Sequence, residues 1–232
     1  MDPRILTANL AAVRSRIAAA TAAAGRTADC VTLVGASKSQ PPAVVRAAVA
    51  AGLLHIGESY VQEALPKIAQ LPDLKATWHF IGQLQANKTR PVAAHFDWVH
   101  GVDRLRIAQR LSEQRPFHAS PLNVCIQVNL GGQDTKGGVS AAELPQLLRA
   151  VASLPRLKLR GLMSLPPAED DPARQRHWAA ELRRLLQTAN AAGLGLDTLS
   201  MGMSSDLEAA ITEGSTLVRV GTDIFGPRSY TP

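Results

Sequence analysis

The sequence predicts an α/β protein built as a single (β/α)8 barrel, the TIM-barrel fold, preceded by an N-terminal helix. Three observations carry that expectation. Short apolar runs rich in Val, Leu and Ile alternate along the whole chain with amphipathic stretches, the pattern of strands buried on both faces and joined by crossover helices. Eight such strand-like runs follow one another, from VTLVGA at 31–36 to STLVRVG at 215–221. The length of 232 residues suits one barrel, and only eleven residues follow Gly221, so one domain over 1–232 is expected. The same alternation also allows an open doubly wound sheet.

Asp2 and Pro3 mark a helix start, and Ile5, Leu6, Leu10, Val13 and Ile17 then recur at helical spacing as far as Gly25. VTLVGASKSQ (31–40) begins as a buried strand and ends at a small-residue turn carrying Lys38. Pro41 and Pro42 cannot continue a strand and instead open a helix through Val44, Val45 and Val49 to Gly52. LLHIGES (53–59) precedes a helix from about Tyr60, ATWHFIG (76–82) one from about Gln85, and DWVHGV (97–102) a helix over 104–114. PLNVCIQVNL (121–130), the longest apolar run, opens into the glycine-rich loop GGQDTKGG, after which Ser140 and Glu143 form a capping box. LKLRGLMSL (157–165) is followed by a proline-acid loop and a long helix over 171–192, with Pro172 in its first turn and Gly193 past its end. LGLDTLSMG (194–202) leads to a short helix from about Ser205, and STLVRVG (215–221) is the eighth strand.

Composition narrows the function classes. A net charge of +6 and a pI near 9.8 admit an anionic ligand or nucleic acid. Only 4% of residues are aromatic and no dense Lys/Arg block occurs, so stacking platforms and a phosphate-tracking stripe are both lacking and no nucleic-acid partner is expected. MDPRILTANL has no apolar signal region and no stretch approaches the roughly 20 apolar residues of a membrane span, so a cytoplasmic protein without a membrane partner is expected. Cys30 and Cys125 lack metal-ligand spacing and read as small apolar residues, with neither a disulfide nor a metal.

In such barrels ligands bind at the carboxyl ends of the strands. Lys38, Ser59, Gly82, His100 with Gly101, Asn129, Met163 with Ser164, 200–204, and Gly221 with Thr222 fall there. A lysine at that rim is either a solvated charge or a nucleophile. Two loops suit a phosphate: SMGMSSD (200–206), where Ser204 and Ser205 open a helix, and VRVGTDIFG (218–226), with Gly221 and Thr222 directly after strand eight. For Ser204 the competing reading is an ordinary N-cap. Side-chain alternation groups Lys38 with Thr32, Val34 and Ala36, and Arg219 with Leu217 and Gly221, while His79 lies between Trp78 and Phe80. Charged groups in strand patterns are costly to bury unpaired. Lys38, Arg219 and His79 are therefore candidates for facing a polar ligand, although His79 equally suits a hydrogen-bonded core histidine. A Schiff-base lysine must be neutral to attack, which from about 10.4 to neutrality is roughly 4 kcal/mol; partial burial and a neighbouring Arg219 act in that direction. A phosphate site and a masked lysine on one rim suggest pyridoxal phosphate.

VGASKSQP around Lys38, HIGESYVQEA (55–64), WHFIGQLQANK (78–88), QVNL with KGG (136–138), GLMSLPP (161–167), LSMGMSSDLEAAI (199–211) and VRVGTDIFGPR (218–228) resemble the pyridoxal phosphate homeostasis protein family, also known as the proline synthetase co-transcribed proteins. The resemblance spans nearly the whole chain in order. It implies an alanine-racemase N-terminal-domain-like barrel, pyridoxal-phosphate fold type III, without the racemase's second domain. It implies pyridoxal 5'-phosphate held as an aldimine on Lys38, phosphate contacts from Ser204, Gly221 and Thr222, and Arg219 near the pyridine ring. Ser59, His79, Ser200 and Met201 complete the cofactor residues that it implies, without fixing which atoms they touch. Ser59 departs from the family, which usually has Asn there, and a shorter side chain loses reach.

The resemblance further implies a monomeric protein that buffers or delivers pyridoxal phosphate, passing it transiently to pyridoxal-dependent apoenzymes, with no catalytic residues and no turnover. Racemisation needs acid and base groups on both faces of a covered adduct, and the only tyrosines, Tyr60 and Tyr230, have no evident reason to face the cofactor. An amino-acid racemase is the alternative, and a cofactor-free Schiff-base aldolase a third reading.

Overall fold

A computed structural model describes residues 1–27, 29–132 and 137–227. Eight parallel strands close on themselves in chain order: β1 (Thr32–Ala36), β2 (His55–Glu58), β3 (Thr77–Phe80), β4 (Trp98–Val102), β5 (Leu122–Val128), β6 (Leu157–Ser164), β7 (Thr198–Ser200) and β8 (Leu217–Val220). Closure is visible in the register, where Val34 of β1 stands opposite both His55 of β2 and Arg219 of β8. The open sheet is excluded.

The helices form the outer ring: α1 (Pro3–Ala23), α2 (Pro42–Ala50), α3 (Val61–Ala69), α4 (Thr89–His95), α5 (Leu105–Gln114), α6 (Leu144–Ala152), α7 (Pro172–Ala191), α8 (Leu207–Thr212) and α9 (Thr222–Phe225). Asp2 caps α1 by accepting from the Arg4 N–H at 2.8 Å, and Asp171 caps α7 in the same way through Ala173. Leu6, Leu10, Val13 and Ile17 are buried on one face of α1, which packs on α8, α9 and α2. The apolar layer between barrel and helices is continuous, with Val45, Val99, Ile107, Leu111, Ile126, Leu162 and Leu182 all fully buried.

Element types follow the sequence expectation and the differences are local. The seventh strand is cut to Thr198–Ser200, because the preceding LGLD turns around Gly195 at φ +63°. The segment after strand eight forms one helical turn, α9, where a loop was expected. Ser140 and Glu143 do meet: the Glu143 N–H donates to the Ser140 hydroxyl, while that hydroxyl donates to the Glu143 carboxylate instead of the carboxylate reaching back to the main chain. Cys30 is half-buried, Cys125 is fully buried, and both are free thiols. Among the described residues no helix is long and apolar enough to cross a membrane, and no cluster of candidate metal ligands occurs.

Barrel interiors of this class are ordinarily filled by branched apolar side chains. Here the interior is polar: His79, His100 and Ser200 are fully buried and Arg219 is 4% exposed. The barrel wall is tight where β6 meets β7, since a Cβ on Gly161 would lie 1.8 Å from the Thr198 carbonyl oxygen. Neither strand can retreat without losing its ladder. Gly161→Ala is therefore expected to lower unfolding stability by about 3 kcal/mol in urea denaturation; an unchanged midpoint would show that the wall yields.

Candidate functional site

At the carboxyl rim of the barrel lies a cavity of about 620 Å³. Lys38, Lys88 and Arg219 line it together with Ser59, Tyr60, Gln127 and Met203, and among the described residues no carboxylate does. Its lining potential is thus positive, which favours an anion.

Lys38 follows β1 on a turn that α3 holds from behind. The Ser37 N–H donates to the Gly57 carbonyl at 2.9 Å, Lys67 donates to the Ser37 carbonyl at 2.9 Å, and the Ser39 N–H donates to the Glu63 carboxylate. Ser39 has φ 65°, a left-handed conformation that costs a non-glycine residue about 1 kcal/mol, and the Glu63 bond holds it there. Beneath the turn Glu58 accepts from the Ser37 hydroxyl and from Lys67. Burial pushes the Glu58 carboxyl up, against the pull of Lys67, and its Oε2 is buried without a partner among the described residues. The backbone on both sides of Lys38 is thereby fixed by groups that never reach the cavity.

Arg219 enters from β8. Its Nη1 donates to the Ser200 hydroxyl oxygen and its Nη2 to the Ser164 carbonyl at 2.9 Å. Burial pushes the guanidinium down to about 10, so it stays charged at neutral pH. Ser200 Oγ lies 2.7 Å from His100 Nδ1, His100 Nε2 lies 2.9 Å from His79 Nδ1, and His79 Nε2 lies 3.0 Å from His55 Nδ1. Burial holds His79 and His100 well below the ordinary value of 6.5, His79 further depressed by its histidine neighbours and His100 by Arg219. Both rings are therefore neutral.

The two turns expected to hold a phosphate are joined by a residue of α1. One guanidinium, Arg16, donates to the Ser204 carbonyl at 2.9 Å and pairs with Glu208 and with Asp223. The Met203 N–H donates to Asp206 Oδ1 at 2.7 Å, and Gly202, at φ +96°, makes the bend that a side chain would disfavour. The loops after β7 and β8 thus converge at the starts of α8 and α9, where backbone N–H groups lack intrahelical partners.

Of the residues singled out in the sequence, Lys38, Ser59 and Arg219 share the cavity. Ser204, Gly221 and Thr222 belong to the adjoining turns, with Thr222 exposed. Ser200 lies beneath Arg219 rather than in the cavity wall. His79 is not at the mouth: it is wholly buried in the interior, the hydrogen-bonded core position that its sequence context equally suited. Met201, one residue out of phase with Ser200, packs in the apolar layer. Tyr60 corrects the sequence expectation, because it lines the mouth of the cavity and is 61% exposed. The glycine-rich loop at 133–136 with Lys136, as well as Arg228 and Tyr230, lies outside the described residues. Sequence reasoning missed Arg16, Glu58, Glu63 and Lys67. Glu63 and Lys67, an i,i+4 pair directly after a rim strand, were the available signal.

Residues 8–229 match the family described as alanine racemase, N-terminal domain. A barrel of that family with a turn lysine and a buried arginine on one cavity is the class that fold and site define. The chain is 57% identical over 222 residues to the pyridoxal phosphate homeostasis protein of Pseudomonas aeruginosa, covering 96% of this chain and 95% of that one. It superposes with a TM-score of 0.84 on PipY of Synechococcus elongatus, solved with pyridoxal phosphate bound, at 37% identity and covering 95% of this chain and 100% of that one. Alanine racemase from Corynebacterium glutamicum, at 19% identity and a TM-score of 0.66 over 94% of this chain and 61% of that one, shares the fold alone. The chain belongs to the pyridoxal phosphate homeostasis protein family.

Two measurements test the supports of the site. Lys67→Met strands the buried Glu58 carboxylate and is expected to cost about 3–5 kcal/mol, much of it recovered in Lys67→Met/Glu58→Leu; equal stability of the single and double variants in urea would separate the pair. His79 and His100 fold neutral but unfold to rings titrating near 6.5, so the unfolded chain binds more protons once pH drops below that value. Stability is expected to fall below about pH 6.5 with a slope approaching about 1.4 kcal/mol per pH unit for each buried ring; a flat profile down to pH 5 would contradict their burial as neutral groups.

Proposed function

We propose that this chain is a carrier of pyridoxal 5'-phosphate that holds the cofactor on Lys38 and buffers or delivers it without turnover. One observation carries the reading: Lys38 opens onto a cavity lined, among the described residues, by three cationic side chains and by no carboxylate, the donor set that an anionic aldehyde requires. The residues suit the group. Lys38 supplies the amine that condenses with the aldehyde, losing water and forming a carbon–nitrogen double bond. Arg219, charged and fixed by Ser200 and Ser164, faces the ring. Ser204, Gly221 and Thr222 receive the phosphate at the paired helix starts that Arg16 ties together. PipY, solved with pyridoxal phosphate bound, supports this reading at 37% identity.

When bound, the cofactor supplies an electron sink for amino-acid chemistry. The chain itself offers little to use it with. Ser59 is short and Tyr60 is exposed at the cavity mouth, so water reaches the site, and an open site suits exchange better than proton transfer from a covered face. On this reading the protein is a cytoplasmic monomer that hands its cofactor to pyridoxal-dependent apoenzymes. Tyr60 is the one observation favouring a racemase, since its hydroxyl could serve as an acid or base.

Incubation with pyridoxal phosphate, borohydride reduction and peptide mass spectrometry are expected to find the pyridoxyl group on Lys38, and Lys38→Ala is expected to remain colourless. Absence of the adduct from the wild-type chain would dismiss both pyridoxal readings. Steady conversion of L-alanine to D-alanine by the loaded protein, lost in Tyr60→Phe, would favour the racemase. Arg16→Ala is expected to weaken cofactor retention about tenfold or more, a loss near 1.4 kcal/mol, while leaving the fold intact; unchanged affinity by absorbance titration would remove α1 from the site.

A further inference from the structure

The barrel has a second opening at the opposite, amino-terminal ends of the strands, a cavity of about 260 Å³ lined by His55 and His79 with Cys30, Trp98, Arg160 and Asp197. Nothing in the proposed carrier chemistry uses it. It is joined to the rim cavity by the unbroken series Arg219, Ser200, His100, His79, His55, one residue from each of five strands, with separations of 2.5, 2.7, 2.9 and 3.0 Å.

The direction of this series is set at one end. A guanidinium only donates, so Ser200 Oγ accepts from Arg219. The Ser200 hydroxyl proton then has His100 Nδ1 as its acceptor, because any other orientation leaves a buried hydroxyl hydrogen unpaired. With Nδ1 accepting, neutral His100 carries its hydrogen on Nε2 and donates to His79 Nδ1. By the same logic His79 is the Nε2–H tautomer and donates to His55 Nδ1. The final ring therefore ends the series as an acceptor, with its own Nε2–H directed away from the series. Trp98, stacked on His79 at 5.5 Å between centroids and nearly parallel to it, restricts the ring to that plane.

We propose that His100 and His79 are positioning residues for Arg219, acting through Ser200 in a hydrogen-bond series of fixed polarity, and that protonation of His55 at the far end of the barrel weakens the hold of the rim cavity on its anionic ligand. The ligand half of this inference rests on the proposed cofactor site; the polarity of the series does not. A doubly protonated His55 presents Nδ1–H to His79, so two donors meet. Within the series the clash is relieved when His79 and His100 both change to Nδ1–H, which delivers a second donor to Ser200 Oγ. Its hydroxyl hydrogen is then left without an acceptor directly beneath Arg219. One proton taken from solvent thus becomes one unpaired, buried hydroxyl hydrogen beneath the guanidinium.

The groups around His55 set where this happens. Arg14 of α1 and Cys30 before β1 border the same end of the barrel, as do Arg160 of β6 and Asp197 before β7, while Asp97 before β4 favours the charged ring. Burial outweighs Asp97 and lowers His55 below its ordinary value. The response therefore falls on the acid side of neutrality.

The first measurement uses the full chain without added ligand. Two-bond nitrogen–proton correlation of the imidazoles near neutral pH is expected to show His55, His79 and His100 all as Nε2–H; an Nδ1–H form of His79 or His100 would overturn the proposal. The second uses pyridoxal phosphate. Retention by the wild-type chain is expected to weaken on acidification more steeply than that of His55→Gln, the excess approaching about tenfold per pH unit, the limit for one linked proton. Glutamine keeps an acceptor for His79 but cannot titrate, so equal pH profiles would overturn the coupling. If Lys38 captures no ligand, the cofactor reading fails while the tautomer measurement still decides the series.

Discussion

A cation buried inside a barrel dictates much of what surrounds it. Arg219 is 4% exposed, keeps its charge because burial lowers it only to about 10, and donates to neutral acceptors on β6 and β7. Leaving such a group unbonded would cost several kcal/mol. The interior is accordingly polar where a barrel of this class would normally be filled with branched aliphatic residues. Ser200 in place of a larger residue admits the guanidinium, and three histidines extend its hydrogen bonding to the base of the barrel. With no carboxylate among the described residues of the rim lining to compensate its charge, Arg219 contributes to the positive sign of the cavity it faces.

Lys38 is governed by a different economy. Its turn is outside the barrel's interior network and depends on α3, where Glu63 and Lys67 lie one helical turn apart and meet Glu58 behind β2. The left-handed Ser39 and the pinned Ser37 carbonyl show the turn held against its own preference. The ion cluster fixes the backbone of this lysine from behind, away from the cavity. The loops after β7 and β8 are likewise braced from a distance, because Arg16 belongs to the helix that precedes the first strand and yet bridges both of them.

The legible parts of the sequence were those in which a local pattern and the tertiary outcome coincide. Apolar runs of four to eight residues bounded by Gly and Pro became strands, since a parallel strand is buried on both faces and leaves that signature. Lys38 and Arg219 could be placed on one rim because strand parity and chain direction suffice for that. His79 was ambiguous for a physical reason: the same alternation that points it inward says nothing of depth, and depth separates a ligand contact from a core hydrogen bond. Tyr60 was misjudged because it lies just past a strand end, where the local pattern no longer determines direction. Arg16 and the Glu58, Glu63 and Lys67 cluster were invisible because their partners are distant in sequence, Arg16 lying 207 residues from Asp223.

By itself the sequence determined the barrel class, the order of its elements and the residue types gathered at the carboxyl ends, because strand burial, helix periodicity and turn chemistry are short-range constraints written residue by residue. Only the tertiary structure decided which of those residues share a cavity, which stand behind it, and that a series of rings runs from Arg219 to the far end of the barrel. Closure of the sheet brings β8 against β1 and sets side chains from five strands within hydrogen-bonding distance, and no local pattern encodes a distance between strands.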